Sequence, residues 1–138
     1  MNQQMMEILL SDNVSQNIRD NEECFFDLFP ELKVCKGFDQ KNSWHVYDVY
    51  EHILHVLEGV APKRILRITA LFHDMGKPAA FTVDDQGVGH FYGHWERSTE
   101  LFQKYEPLLN LPKDEANLIR WLIFYHDVNV DRLTEDEL

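Results

Sequence analysis

Seven histidines, His45, His52, His55, His73, His90, His94 and His126, are spread along this chain, and two are followed directly by aspartate, in His73-Asp74 and His126-Asp127. Neutral imidazole and carboxylate are the donors that divalent Mn, Fe, Co, Ni, Zn or Mg accept. Cys24 and Cys35 do not form a CxxC pair, which points away from a structural zinc site. An aspartate, unlike a neutral imidazole, can also bridge two ions. A bound metal acidifies its water and clamps an anionic phosphate oxygen, which are the requirements for phosphoester hydrolysis. Lys77 follows the first His-Asp pair closely, and its ammonium suits a substrate phosphate in an otherwise acidic protein. Gly76 is expected to let the backbone turn so that Lys77 points back at the site.

Four helices are needed to position these groups. A first long helix is expected from near Ser43, a suitable N-cap, through the apolar stripe of Val46, Tyr47, Val49, Tyr50, Ile53, Leu54 and Leu57 to Gly59. His52 lies in its middle, and His45 two turns earlier on the same face. A second, with Pro62 in its first turn, carries Ile65, Leu66, Ile68, Leu71 and Phe72 and stops by Gly76, so His73 and Asp74 end it. A third runs from His94 to about Tyr105, before Pro107. A fourth opens at Pro112 and ends at His126 and Asp127. Phe81 to Val83, a turn at Asp84 to Gly87, and Val88 to Tyr92 read as a short hairpin or irregular loop. Residues 2–20 read as weakly helical, interrupted at Ser11 to Asn13. Together with the Cys24 to Phe29 cluster, they form short helices packed on the main body.

The chain has 138 residues, with 24 Asp plus Glu against 13 Lys plus Arg and a formal net charge of -11. This is one domain, spanning residues 1–138 with residues 1–24 as peripheral helices, and long enough to fold without staples. The charge repels polyphosphate, so an extended nucleic-acid surface is not expected. No signal peptide or transmembrane run is visible, and the expectation is a cytoplasmic protein with reduced thiols and no membrane partner. There are no repeats and no βαβ rhythm. An all-α bundle with one small β excursion near residues 80–92 fits best.

The run His73-Asp74-Met75-Gly76-Lys77-Pro78, preceded by Ala70-Leu71-Phe72, resembles the signature of the HD superfamily of metal-dependent phosphohydrolases, and His52 matches that superfamily's first histidine. Phe29-Pro30-Glu31-Leu32, Gly37 to Gln40, His45 to His52 and Gly89-His90-Phe91-Tyr92-Gly93-His94 look like the HD domain attached to bacterial tRNA nucleotidyltransferases, the CCA-adding enzymes. The blocks keep their order over roughly residues 25 to 128. The resemblance implies an all-α HD fold with a metal held by His52, His73 and Asp74. Members with two metals add histidines from later helices, the positions of His94 and His126. Asp127 is the best candidate for the superfamily's final aspartate, with Asp131 behind it, and truncation at the C-terminus is an alternative reading. No Gly-Ser followed by a paired-carboxylate strand is found, so CCA addition is not expected of this chain alone.

These readings lead to a metal-dependent phosphohydrolase acting on a nucleotide or RNA-end phosphate through metal-bound water. It uses one or two divalent ions, with Asp74 orienting the water or bridging metals. Lys77 and His45 would hold the phosphate. The competing reading is a non-catalytic, detached HD domain that binds tRNA or a partner protein. At single positions there are blander alternatives: a capped helix end for His73-Asp74, a core histidine for His52, a solvated helix end for His126-Asp127, and surface solvation for Glu51 and Glu96. His55 is expected to act behind His52 as a hydrogen-bonding neighbour, and His90 is not expected to be a ligand. Trp44, Trp95 and Trp121 are expected to pack in the core or its rim, and both cysteines to be buried.

Overall fold

Brief apolar stretches broken by polar residues give short helices at the start of the chain. In the computed structural model, which describes residues 1–41 and 47–126, these are α1 (Gln3–Leu9), α2 (Val14–Asp20), α3 (Glu22–Leu28) and α4 (Pro30–Cys35). Asn2 caps α1 by accepting from the Met5 amide at 2.8 Å. Pro30 opens α4, where its missing N–H costs nothing. Leu9, Val14, Ile18, Phe25 and Leu32 are fully buried in the same core as the later helices.

The next helix, α5 (Val49–Gly59), starts later than the sequence suggests. Its cap is Asp48, which accepts from the Glu51 amide at 2.6 Å and from the Gly37 amide at 2.8 Å. A carboxylate both fills the open amide and complements the positive helix end. Ser43, and with it His45 and Trp44, lies outside the described residues. The shared face expected for His45 and His52 lies outside the described residues, and α5 itself begins at Val49.

Pro62 precedes α6 (Arg64–Phe72) rather than sitting in it, since Lys63 is the N-cap. A turn over residues 73–76 leads into α7 (Lys77–Ala80), with Pro78 in its first turn. Strands β1 (Thr82–Val83) and β2 (Gly89–His90) pair antiparallel, Thr82 opposite His90 and Val83 opposite Gly89. Gly87, at φ +80°, closes their turn. Pro107 does not end α8 (His94–Leu109). It lies inside the last turns, where it removes one hydrogen bond, and the helix ends at Asn110 in the left-handed region, φ 53°. The last helix is α9 (Lys113–Phe124).

The bundle core is built where α5, α6, α8 and α9 meet. Phe29, Phe72, Phe102 and Tyr105 form an edge-to-face cluster, with Phe29–Phe72 at 5.4 Å, Phe72–Phe102 at 5.6 Å and Phe29–Tyr105 at 4.9 Å between ring centres. Each fully buried aromatic contributes about 2–3 kcal/mol by removing apolar surface from water. Arg67 is a buried exception, 3% exposed. Its guanidinium donates to the carbonyls of Leu9 at 2.8 Å, Ser11 at 3.0 Å and Val60 at 3.4 Å, pinning the α1–α2 corner to α6.

Two packing expectations are corrected. Cys24 is exposed, on the outer face of α3, while Cys35 is buried. Trp121 is 56% exposed, with its ring against Tyr125 at 5.0 Å, because α9 turns its Ile119–Leu122–Ile123 face inward. Among the described residues no helix is long and apolar enough to cross a membrane.

Candidate metal centre

His73 caps the C-terminal end of α6, and the turn that follows bonds the Met75 amide to Phe72 O and the Lys77 amide to Asp74 O. That nearly helical winding puts Asp74 and Lys77, three apart, on one inward face. Gly76 is required here for a reason other than the one expected. Its φ is −82°, an ordinary conformation. A Cβ on it would sit 2.4 Å from the Ser98 amide nitrogen and 2.7 Å from Arg97 atoms of α8. Glycine therefore lets the turn touch α8, and the Gly76 amide donates to the Ser98 hydroxyl at 2.9 Å. On α8, Gly93 takes φ 76° at the N-cap and delivers His94 at the first helical position. His126 lies just beyond the end of α9.

These elements converge on Asp74, which is 3% exposed. Its Oδ2 lies 2.8 Å from His52 Nε2 and 3.1 Å from His73 Nε2. Its Oδ1 lies 3.2 Å from His94 Nε2 and 3.1 Å from His126 Nε2, and those two nitrogens are 2.8 Å apart. One donor atom from each of His52, His73 and Asp74 falls within 4.8 Å of the others, and the same holds for Asp74, His94 and His126. Asp74 belongs to both groups, one carboxylate oxygen facing each.

The ring orientations follow from the partners on the far side. Nδ1 of His73 lies 2.6 Å from Ala70 O, Nδ1 of His94 2.9 Å from Phe91 O, and Nδ1 of His126 2.7 Å from Ile123 O. A carbonyl only accepts, so each Nδ1 carries the proton and donates. In the neutral rings Nε2 is then a lone pair aimed inward, the arrangement that orients metal-ligating imidazoles. The Asp74 Oδ1 atom, fully buried, receives no well-formed hydrogen bond among the described residues. Burial pushes the Asp74 carboxyl up, but the charge that His73, His126 and His52 carry when protonated outweighs it and would hold the carboxyl well below the usual carboxylate range. Convergent lone pairs around a buried anion call for positive charge between them. Separations of 2.8–3.2 Å match neighbouring ligands on one cation with bonds of about 2.1 Å, which stand about 3 Å apart at right angles. The donor set fits a divalent metal, or two with Asp74 between them.

Lys77 is also buried, 6% exposed, with Nζ 2.9 Å from Gln40 Oε1 and 3.5 Å from Asp74 Oδ2. Gln40 escaped the sequence reading except as the last residue of the Gly37–Gln40 block, because spacing alone cannot tell a buried glutamine from a solvated one. Asp127 and His45 lie outside the described residues. His55 is exposed, with its ring against Tyr47 at 5.2 Å, and is not one of the residues gathered around Asp74. His90 pairs with Asp84 at 2.8 Å in the hairpin. Glu51 is engaged by the Arg19 guanidinium at 2.5 and 2.7 Å, and Glu96 is exposed.

The chain is similar to part of two longer proteins. The chain is 33% identical over 107 residues to an A-adding tRNA nucleotidyltransferase of Deinococcus radiodurans, a match covering 73% of this chain and 24% of that protein. It is 33% identical over 114 residues to a CC-adding tRNA nucleotidyltransferase of Thermus thermophilus, covering 78% and 25%. The chain thus spans about a quarter of the length of the curated relatives it matches. These matches make it a distant relative of part of the tRNA nucleotidyltransferases. No family model and no solved structure matches it.

Proposed function

We propose that this domain is a metal-dependent phosphohydrolase of the HD type, cleaving a phosphomonoester or phosphodiester of a nucleotide or RNA end. The carrying observation is the placement of Asp74, with one oxygen toward His52 and His73 and the other toward His94 and His126. Those five residues would hold the metal, with Asp127 assigned to the shell from sequence. A divalent ion held there supplies an acidified water and positive charge for a phosphate oxygen. The chain's own contribution is orientation. The backbone carbonyls fix three imidazoles, Asp74 spans the two donor groups, and Lys77 contributes an ammonium beside them. An ammonium has three N–H groups. One goes to Gln40 and one faces Asp74, which leaves a third for a phosphate oxygen. His45 is assigned a phosphate contact from sequence alone.

The test is Asp74→Ala. The variant is expected to lose bound metal and phosphoester hydrolysis together, measured by elemental analysis and by a screen of nucleotides and cyclic phosphodiesters. Full activity in the variant would sink the proposal.

The named relatives favour one second reading, a domain of the tRNA nucleotidyltransferase type that binds tRNA or a partner protein without catalysis. A metal-free, inactive, stable chain that retains tRNA in a gel-shift assay would select it. A net charge of -11 weighs against binding by this chain alone.

A further inference from the structure

Next to the histidine cluster lies a second polar arrangement, between the 37–41 segment, α7 and the hairpin. Gln40 is 2% exposed. Its Oε1 accepts from Lys77 Nζ at 2.9 Å, and its Nε2 donates to Tyr47 O at 2.9 Å. An ammonium only donates and a carbonyl only accepts, so the amide can face only one way. The Phe91 ring centre lies 5.1 Å from Lys77 Nζ. Strand β2 backs the main chain at Gln40 and Lys41. The Gly89 amide donates to Lys41 O at 2.7 Å, and a Cβ on Gly89 would lie 2.1 Å from Gln40 O.

The ammonium therefore sits closer to a neutral amide than to an anion. A buried Lys–carboxylate pair ordinarily closes to about 2.8 Å. Here Lys77 stops 3.5 Å from Asp74 Oδ2. We infer that Gln40 is a positioning residue for Lys77: it restrains the ammonium from closing onto Asp74, leaving the carboxylate for cations and the remaining N–H for an anion. This rests on the reading of Asp74 and Lys77 given under Proposed function. Gln40 touches no reacting atom in it and acts through Lys77 alone.

The full chain and its Gln40→Met, Lys77→Met and double variants would be stripped of metal and titrated with Mn²⁺ by calorimetry. Inorganic phosphate would then be titrated into each Mn²⁺-treated sample. Methionine keeps the length of glutamine and removes the acceptor. Gln40→Met is expected to weaken phosphate binding about ten- to a hundredfold, the worth of one hydrogen bond to a charged group, and to weaken Mn²⁺ as Lys77 moves onto Asp74. In the Lys77→Met background the Gln40 change is expected to add nothing, which a merely structural role would not produce. Unchanged affinities in Gln40→Met, or an equal loss in both backgrounds, overturn the inference. Nitrogen-detected NMR of the wild-type lysine ammonium groups gives a readout that needs no folded Gln40 variant. Slowly exchanging Lys77 protons support the inference, and exchange as fast as that of exposed Lys36 overturns it. A wild type that binds no Mn²⁺ but loses phosphate on Gln40→Met refutes only the hydrolase reading. One that binds Mn²⁺ with Gln40→Met indistinguishable from it refutes only the role of Gln40.

Discussion

His94 and His126 bring their Nε2 atoms to 2.8 Å of each other, one from the first residue of α8 and the other from just past α9. Both rings spend their Nδ1 protons on backbone carbonyls, so this contact holds at most one shared proton in the absence of a cation.

Metal stoichiometry should divide along the same line. His126→Ala is expected to lower bound Mn²⁺ from two equivalents to one, and His52→Ala to do the same from the other side, by elemental analysis of dialysed protein. Each variant removes a donor from one group only. Loss of both ions from either variant would show that the two groups do not load separately.

Gly76→Ala should destabilise the fold by about 2–3 kcal/mol, because the new methyl meets backbone that cannot swing away. The same change should push α8, and with it His94, from Asp74. Thermal denaturation and Mn²⁺ titration measure the two effects. An unchanged melting temperature would contradict the close approach.

The two thiols should differ sharply. Cys24 is exposed, while Cys35 is buried with its Sγ 3.3 Å from Glu31 O. Burial, reinforced by the charges of Asp74 and Asp48, pushes the Cys35 thiol far up, so little thiolate exists at neutral pH. A chromogenic disulfide reagent is expected to titrate one thiol in native protein and the second only in denaturant.

Glu31 ties α4 to α8 by accepting from Lys104 at 2.8 Å and from the Tyr105 hydroxyl at 2.5 Å. Burial raises its carboxyl, but those two bonds more than offset this and leave it below the ordinary value. A folded pKa below the unfolded one gives stability that is complete above the unfolded pKa and disappears as pH falls through the folded one. Wild type should exceed Glu31→Gln by about 1 kcal/mol at pH 7, discounted for the exposed lysine. The gap should close on acidification below about pH 4, where an ordinary unfolded carboxylate titrates. Urea melts at several pH values decide it, and a gap that persists at pH 3 would reverse the argument.

Much of this centre was legible beforehand, because His52, His73, Asp74, His94 and His126 are chemically conspicuous and their helices carry strong apolar periodicity. What escaped notice depends on long-range packing. Asp48 outcompetes Ser43 as a cap through its added bond to Gly37, a contact between loop and helix. Gly76 reads as a turn glycine and Gly89 as part of the returning arm of the hairpin, yet their bare Cα atoms serve contacts with α8 and with Gln40. Pro107 reads as a helix stop, but Asn110 performs the termination. Arg67 carries no signal of its own in the sequence, because its burial depends on the distant carbonyls of Leu9 and Ser11.

That arginine has a bearing on how the molecule can be shortened. Its side chain is the only buried guanidinium described, and two of its three carbonyl acceptors belong to residues 9 and 11. Pruning the opening dozen residues to isolate the histidine cluster would leave a cation stranded under freshly bared apolar surface. The leading helices contribute no ligand, yet any minimal version of the domain has to carry them.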